Sequence, residues 1–156
     1  MNKNVLRVII AAMACLALGT LSGLITISAI EGWYTTIRKP SWTPPNWIFG
    51  PVWSLLYILM GIALGLILNT RHPLKKKAVL IFIIQFILNL AWSFIFFYQQ
   101  MIGLAVVDIL FMLGSIILTI FYFNKINRVA ASLLIPYLLW VSFASFLNLA
   151  IYLLNR

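Results

Sequence analysis

Acidic side chains are almost missing from this chain. Glu31 and Asp108 are the only carboxylates in 156 residues, against eleven Lys and Arg. Two carboxylates are too few for a cluster around a hard metal ion. Cysteine is nearly absent too: Cys15 stands alone, which excludes an intrachain disulfide and a dithiol redox pair. His72, the one histidine, sits beside Pro73 in a basic stretch, so one chain cannot hold a haem between two histidines. No Ser-His-Asp set, metal-ligand cluster or glycine-rich phosphate loop occurs, and conventional hydrolysis or metal chemistry is not expected.

What the chain has in excess is hydrocarbon. Apolar residues make up 64%, charged residues 8%, and the mean hydropathy is +1.09, so the solvent of most side chains is lipid. A net charge of +9 on a soluble protein would suggest nucleic acid as partner. Here the basic residues collect between apolar runs and report topology instead, and no nucleic-acid partner is expected.

Five runs are long enough to span a bilayer, which takes about 20 helical residues at 1.5 Å each. They cover about 5–30, 51–69, 78–98, 102–123 and 129–154. None alternates as a lipid-facing strand does, so the expected fold is all-α: a single five-helix membrane domain over 1–156, with a Trp/Pro-rich loop at 31–50. Between the third and fourth runs only Gln99, Gln100 and Met101 remain, which forces a tight antiparallel hairpin. Lys3 and Arg7 before an apolar run resemble the start of a signal peptide, with Ala17-Leu18-Gly19 as a passable cleavage site. The run continues to Ile30, past the 7–15 residues of an h-region, and is read as an uncleaved helix. Lys3, Arg7, Arg71, Lys75, Lys76, Lys77, Lys125 and Arg128 fall on one side, and Arg38, Lys39 and Arg156 on the other. That bias predicts a multi-pass cell-membrane protein with its N-terminus in the cytoplasm and its C-terminus outside.

Tryptophan is concentrated in one place. Trp33, Trp42, Trp47 and Trp53 share a short stretch with Pro40, Pro44, Pro45 and Pro51, between the first two runs. Indoles favour the membrane–water boundary, but this density together with proline reads as a stiff aromatic lid over something flat and apolar. Intramembrane polar groups need partners or a function. Residues four apart share a helix face, which aligns Gln85, Asn89 and Ser93 in the third run, with Trp92 close by, and Trp140, Ala144 and Asn148 in the fifth. The second run aligns Trp53, Tyr57, Gly61 and Gly65. Convergence of the three faces would give a pocket with flat aromatic walls and few charges, suited to a large planar ligand. Asn89, Trp53 and Trp140 are read as pocket residues, and Gln85 and Ser93 as interhelical hydrogen-bonding groups. Gly19 and Gly23, like Gly61 and Gly65, form small-xxx-small steps that serve packing within one bundle or a dimer seam. Asp108, roughly 9 Å into the fourth helix, lacks the companions of a proton relay. It is read as structural, accepting hydrogen bonds from a Trp N–H or an amide, or as protonated.

These residues carry a resemblance. Trp33-Tyr34, Lys39-Pro40-Ser41-Trp42-Thr43-Pro44-Pro45, Phe49-Gly50-Pro51-Val52-Trp53 and Tyr57 resemble the tryptophan-rich sensory protein (TspO) family, also called translocator protein or peripheral benzodiazepine receptor. Asn89-Leu90-Ala91-Trp92-Ser93, Asp108, Pro136-Tyr137-Leu138-Leu139-Trp140, Phe143-Ala144 and Asn148 extend it over essentially the whole chain. The resemblance implies a five-helix protein, often a homodimer, with no tightly bound cofactor, that takes porphyrins such as protoporphyrin IX and benzodiazepine-site molecules as ligands. It implies ligand contacts at Trp33, Trp42, Trp53, Tyr57, Asn89, Trp92, Trp140, Ala144 and Asn148. It also implies light-dependent porphyrin breakdown with Trp53 and Trp140 as electron donors. The family's animal members bind cholesterol, but Leu149, Tyr152 and Arg156 match the sterol pattern no better than Leu118, Tyr122 and Lys125, and no sterol site is read here. Against this binding function stand two alternatives: a transporter of tetrapyrroles or similar molecules, and an assembly subunit without ligand.

Overall fold

A computed structural model describes residues 2–156, apart from the side chains of Ile25 and Ser28. The chain runs through α1 (Lys3–Glu31), a short α2 (Trp33–Thr36), a 3-10 turn (Asn46–Ile48), α3 (Phe49–Leu68), α4 (Lys75–Ser93), α5 (Ile102–Ile126), α6 (Arg128–Ser132) and α7 (Ile135–Asn155). Five segments have the length and apolarity of membrane spans: Lys3–Glu31, Asn46–Leu68, Lys75–Tyr98, Ile102–Ile126 and Arg128–Asn155. The fold is the all-α five-span bundle that the hydropathy implies.

The ends differ from the apolar runs for local reasons. Helix α4 begins at Lys75, three residues before the apolar run. The Lys75 ammonium turns back to donate to the Leu68 and Thr70 carbonyls at 2.6 and 3.2 Å, capping the end of α3. Lys125 extends α5 beyond the apolar run by laying its stem along Phe121, with Nζ 4.2 Å from the ring centre. Asn127 then leaves the helix in extended conformation, and its side chain accepts from the Ala130 N–H to start α6. The fifth span is not one helix. It breaks at Leu133–Leu134, because Pro136 offers no N–H and its ring would clash with the Ser132 carbonyl. The end of the third span widens into a π-helix over Phe94–Tyr98, and Gln100 turns the chain with φ of 58°.

Two helix pairs carry the bundle: α1 on α3, and α4 on α5, with α7 against α5. The α1–α3 pair is antiparallel, and glycine sets its separation. A Cβ at Gly61 would lie 2.6 Å from the Ala11 carbonyl oxygen, and one at Gly65 would lie 2.5 Å from Val8 Cα. Asn69 closes the same end by donating to the Asn4 carbonyl at 2.8 Å. Higher up, Gly19 lies directly against the Tyr57 ring. Beyond that level a Cβ on Gly23 or Gly50 would meet nothing within 4 Å. The glycine steps therefore serve packing inside the bundle on one half and leave open space on the other. The main core runs through Met60, Ala63, Phe82, Met112, Phe123 and Tyr137; a second cluster, with Tyr34, Phe96, Phe97 and Leu147, sits beneath the lid.

Candidate functional site

The space left between α1, α3, α7 and the π-helical segment is a cavity of about 530 Å³, within the roughly 300–1,000 Å³ range of small-molecule sites. Its walls include Trp53 and Tyr57 from α3, Trp92 and Ser93 from α4, Phe96 and Phe97 from the π-helix, and Trp140, Ala144 and Asn148 from α7. The lid contributes Asn46, Trp47 and Phe49, and α1 contributes Gly19 and Gly23.

Aromatic stacking organises this wall. Trp53 lies on Tyr57 with ring centres 5.6 Å apart and planes at 29°, and Trp92 lies on Phe96 at 5.0 Å and 16°. Phe49 meets Trp140 edge-on at 6.0 Å. The Trp92 indole donates to Asn148 Oδ1 at 2.9 Å, which fixes both side chains and joins α4 to α7. The indoles of Trp47, Trp53 and Trp140 have no such partner among the described residues, and neither has the buried Asn148 Nδ2, so these donors are left for a guest. Three wall hydroxyls are already committed: Thr20 donates to the Leu16 carbonyl, Ser54 to that of Gly50 and Tyr57 to Asn89 Oδ1. The site is thus a flat-sided apolar slot with a few unpartnered indole and amide donors and one carboxylate, Glu31, at its rim.

Of the residues singled out by sequence, six share the wall: Trp53, Tyr57, Trp92, Trp140, Ala144 and Asn148. Ser93, expected to bond between helices, also lies on it. Three stand outside it. Trp33 packs edge-on behind the wall against Phe96 at 5.5 Å, and Trp42 packs against Phe143 at 5.9 Å in the lid. Asn89 is buried one layer deeper, with its amide taken up by two tyrosines: Oδ1 accepts from the Tyr57 hydroxyl at 2.8 Å, and Nδ2 donates to the Tyr137 hydroxyl at 3.1 Å. Tyr137 in turn donates to Gln85 Oε1 at 2.9 Å, so Gln85 does bond between helices. Asn89 therefore braces Tyr57 from behind. Tyr137, fully buried and at the centre of this network, is the residue that spacing alone passed over. Asp108 is buried as well, and its Oδ2 has no partner among the described residues; the Trp92 N–H that could have served it goes to Asn148.

The lid is tied down at several points. Asn155 at the end of α7 mimics a backbone partner for Arg38, accepting from its N–H at 2.9 Å and donating to its carbonyl at 2.8 Å. Lys39 donates to the Tyr34 carbonyl at 2.6 Å and sits 4.3 Å over the Tyr34 ring. Tyr34 lies outside the spans, and its burial pushes the phenol up from about 10 to about 12.

Comparison with known proteins agrees with this architecture. The family described as TspO/MBR matches residues 11–154. The Tryptophan-rich protein TspO of Chlorobaculum tepidum is 43% identical over 157 residues, covering 99% of each chain. That of Archaeoglobus fulgidus is 41% identical over 152 residues, 97% of this chain and 99% of its own. The human Translocator protein is 38% identical over 123 residues, 77% of this chain and 73% of its own. A five-span bundle, a tied aromatic lid and a match over nearly the full length lead to one conclusion: the chain belongs to the TspO/MBR family of membrane proteins.

Proposed function

We propose that the cavity binds planar, largely apolar tetrapyrroles such as protoporphyrin IX, and that it also accepts smaller aromatic molecules of the benzodiazepine-site kind. The observation that carries this reading is the pairing of flat aromatic walls with uncommitted indole and amide donors in a space of about 530 Å³. A macrocycle can lie against Trp53 and Trp140, and a carbonyl or ring nitrogen can accept from either indole. Stacking of this kind contributes roughly 0.5–1.5 kcal/mol per ring pair beyond the area buried. Trp33 acts on the ligand through Phe96, Trp42 through Phe143 and the Trp140 it packs on, and Asn89 through Tyr57.

Under light, the bound macrocycle takes one electron from Trp53 or Trp140. This leaves an indole radical cation and a porphyrin radical anion. Dioxygen adds to a meso carbon of that anion, and the resulting peroxyl anion returns one electron to the indole. The neutral peroxide opens the meso bridge with both oxygen atoms retained, so porphyrin and dioxygen are consumed one for one and the tryptophan is restored. The activity needs no resident cofactor. Titration of the purified protein with protoporphyrin, in darkness and then under illumination, tests both parts through the Soret band and the product spectrum. Binding in the dark is expected, with a new product in the light that Trp53→Phe and Trp140→Phe each reduce. Binding without a product would leave a carrier or sensor, and porphyrin flux through proteoliposomes would identify a carrier. Absence of binding would overturn the reading.

A further inference from the structure

The cavity is closed on top and open at the side. Its roof is held by the Asn155–Arg38 pair, by Lys39 on Tyr34, by Trp42 on Phe143 and by Phe49 on Trp140. Helices α1 and α3 behave differently along their length. Asn69–Asn4, Gly65–Val8, Gly61–Ala12 and Gly19–Tyr57 hold them together over the half remote from the lid. The register of those contacts puts Thr20 level with Ser54, and Leu24 level with Gly50. At these levels Gly23 and Gly50 have open space beside them, and Thr20, Leu24 and Ser54 line the cavity while remaining exposed. Past the Gly19–Tyr57 contact, α1 and α3 are thus not sealed together at Gly23 and Gly50, and the exposed Thr20, Leu24 and Ser54 edge the gap between them. Thr20 lies eleven residues below Glu31 on α1, roughly 16 Å along the axis. The gap thus reaches from the interface to near the middle of a hydrocarbon core about 30 Å thick.

The geometry points to this slit as the route by which ligand enters and leaves: a molecule dissolved in the lid-side half of the bilayer slides between α1 and α3, past Gly23 and Gly50, without the lid opening. The inference rests on the cavity being the ligand site. The walls of the slit suit a flat apolar guest, because the Thr20 and Ser54 hydroxyls are spent on their own helices and neither glycine presents a side chain. Water-borne ligand would have to undo the paired Asn155–Arg38 bonds and two aromatic contacts instead.

The test uses the double variant Thr20→Cys/Ser54→Cys in bilayers, bridged by a reducible bis-methanethiosulfonate linker, with protoporphyrin delivered from vesicles in darkness. The unbridged variant is its own reference, and wild type given the same reagent controls for the buried Cys15. Bridging is expected to slow association and dissociation together by about tenfold or more, to leave Kd within about twofold, and to be reversed by reductant. Bridging the lid through Arg38→Cys/Asn155→Cys is expected to leave both rates unchanged. If the first pair does not fold, Leu24→Cys/Gly50→Cys spans the same slit. Rates that ignore the slit bridge, or that fall only with the lid bridge, overturn the route and leave the binding site standing. A wild-type protein that binds no porphyrin overturns the site and the route together.

Discussion

At the scale of single residues, the network behind the wall is where small changes cost most. Tyr137 is fully buried, and its hydroxyl accepts from Asn89 and donates to Gln85. Tyr137→Phe removes no bulk but strands an amide N–H₂ and an amide oxygen in a dry interior. A loss of about 1–3 kcal/mol is expected, read as a fall in thermal midpoint of the purified protein. Tyr34 gives a pH signature. Its phenol is raised from about 10 to about 12 by burial, so its contribution is fully present below pH 10 and fades as pH rises toward 12. Stability measured from pH 9 to 12 should therefore fall more steeply for wild type than for Tyr34→Phe. The wall tryptophans were legible in the sequence because indoles deep in apolar runs have little use as anchors. The place of Asn89 was not: helical spacing sets its face, but its partners lie 32 and 48 positions away and depend on how helices meet.

At the scale of elements, hydropathy marks where lipid begins and ends, while hydrogen bonding decides where helices do. The two disagree wherever a lysine stem or a capping asparagine carries the backbone past the apolar run, as at Lys75, Lys125 and Asn127. Pro136 held the signal for the break in the fifth span, whereas the π-helix over Phe94–Tyr98 has no marker in a run of aromatics. Glycine separates two kinds of helix surface. Gly61→Val drives a side chain into the backbone of α1 and is expected to cost roughly 1–3 kcal/mol or more. Gly114→Ala adds a methyl group where nothing lies within 4 Å and is expected to cost nothing. Denaturation of the two variants side by side checks the contrast.

At the scale of the whole molecule, the bundle is a clamp with one unfilled half. Gly23 is the position where this matters most, since it faces the void and no packed neighbour. Gly23→Leu should leave the fold intact and abolish porphyrin binding, seen as an unchanged thermal midpoint with loss of the Soret shift. That the Trp/Pro-rich segment would supply aromatic surface was readable from its tryptophans, and Trp47 does line the cavity. That Gly23 and Gly50 lie beside open space was not, because a small-xxx-small step looks the same whether its far side meets a helix or a gap. The side opening changes what a binding constant describes. Two guests of equal Kd but unequal oil–water partition would reach the cavity at different speeds from the same aqueous concentration, the greasier one sooner. With affinity equal, that guest would also depart sooner, so residence time belongs to the membrane as much as to the protein.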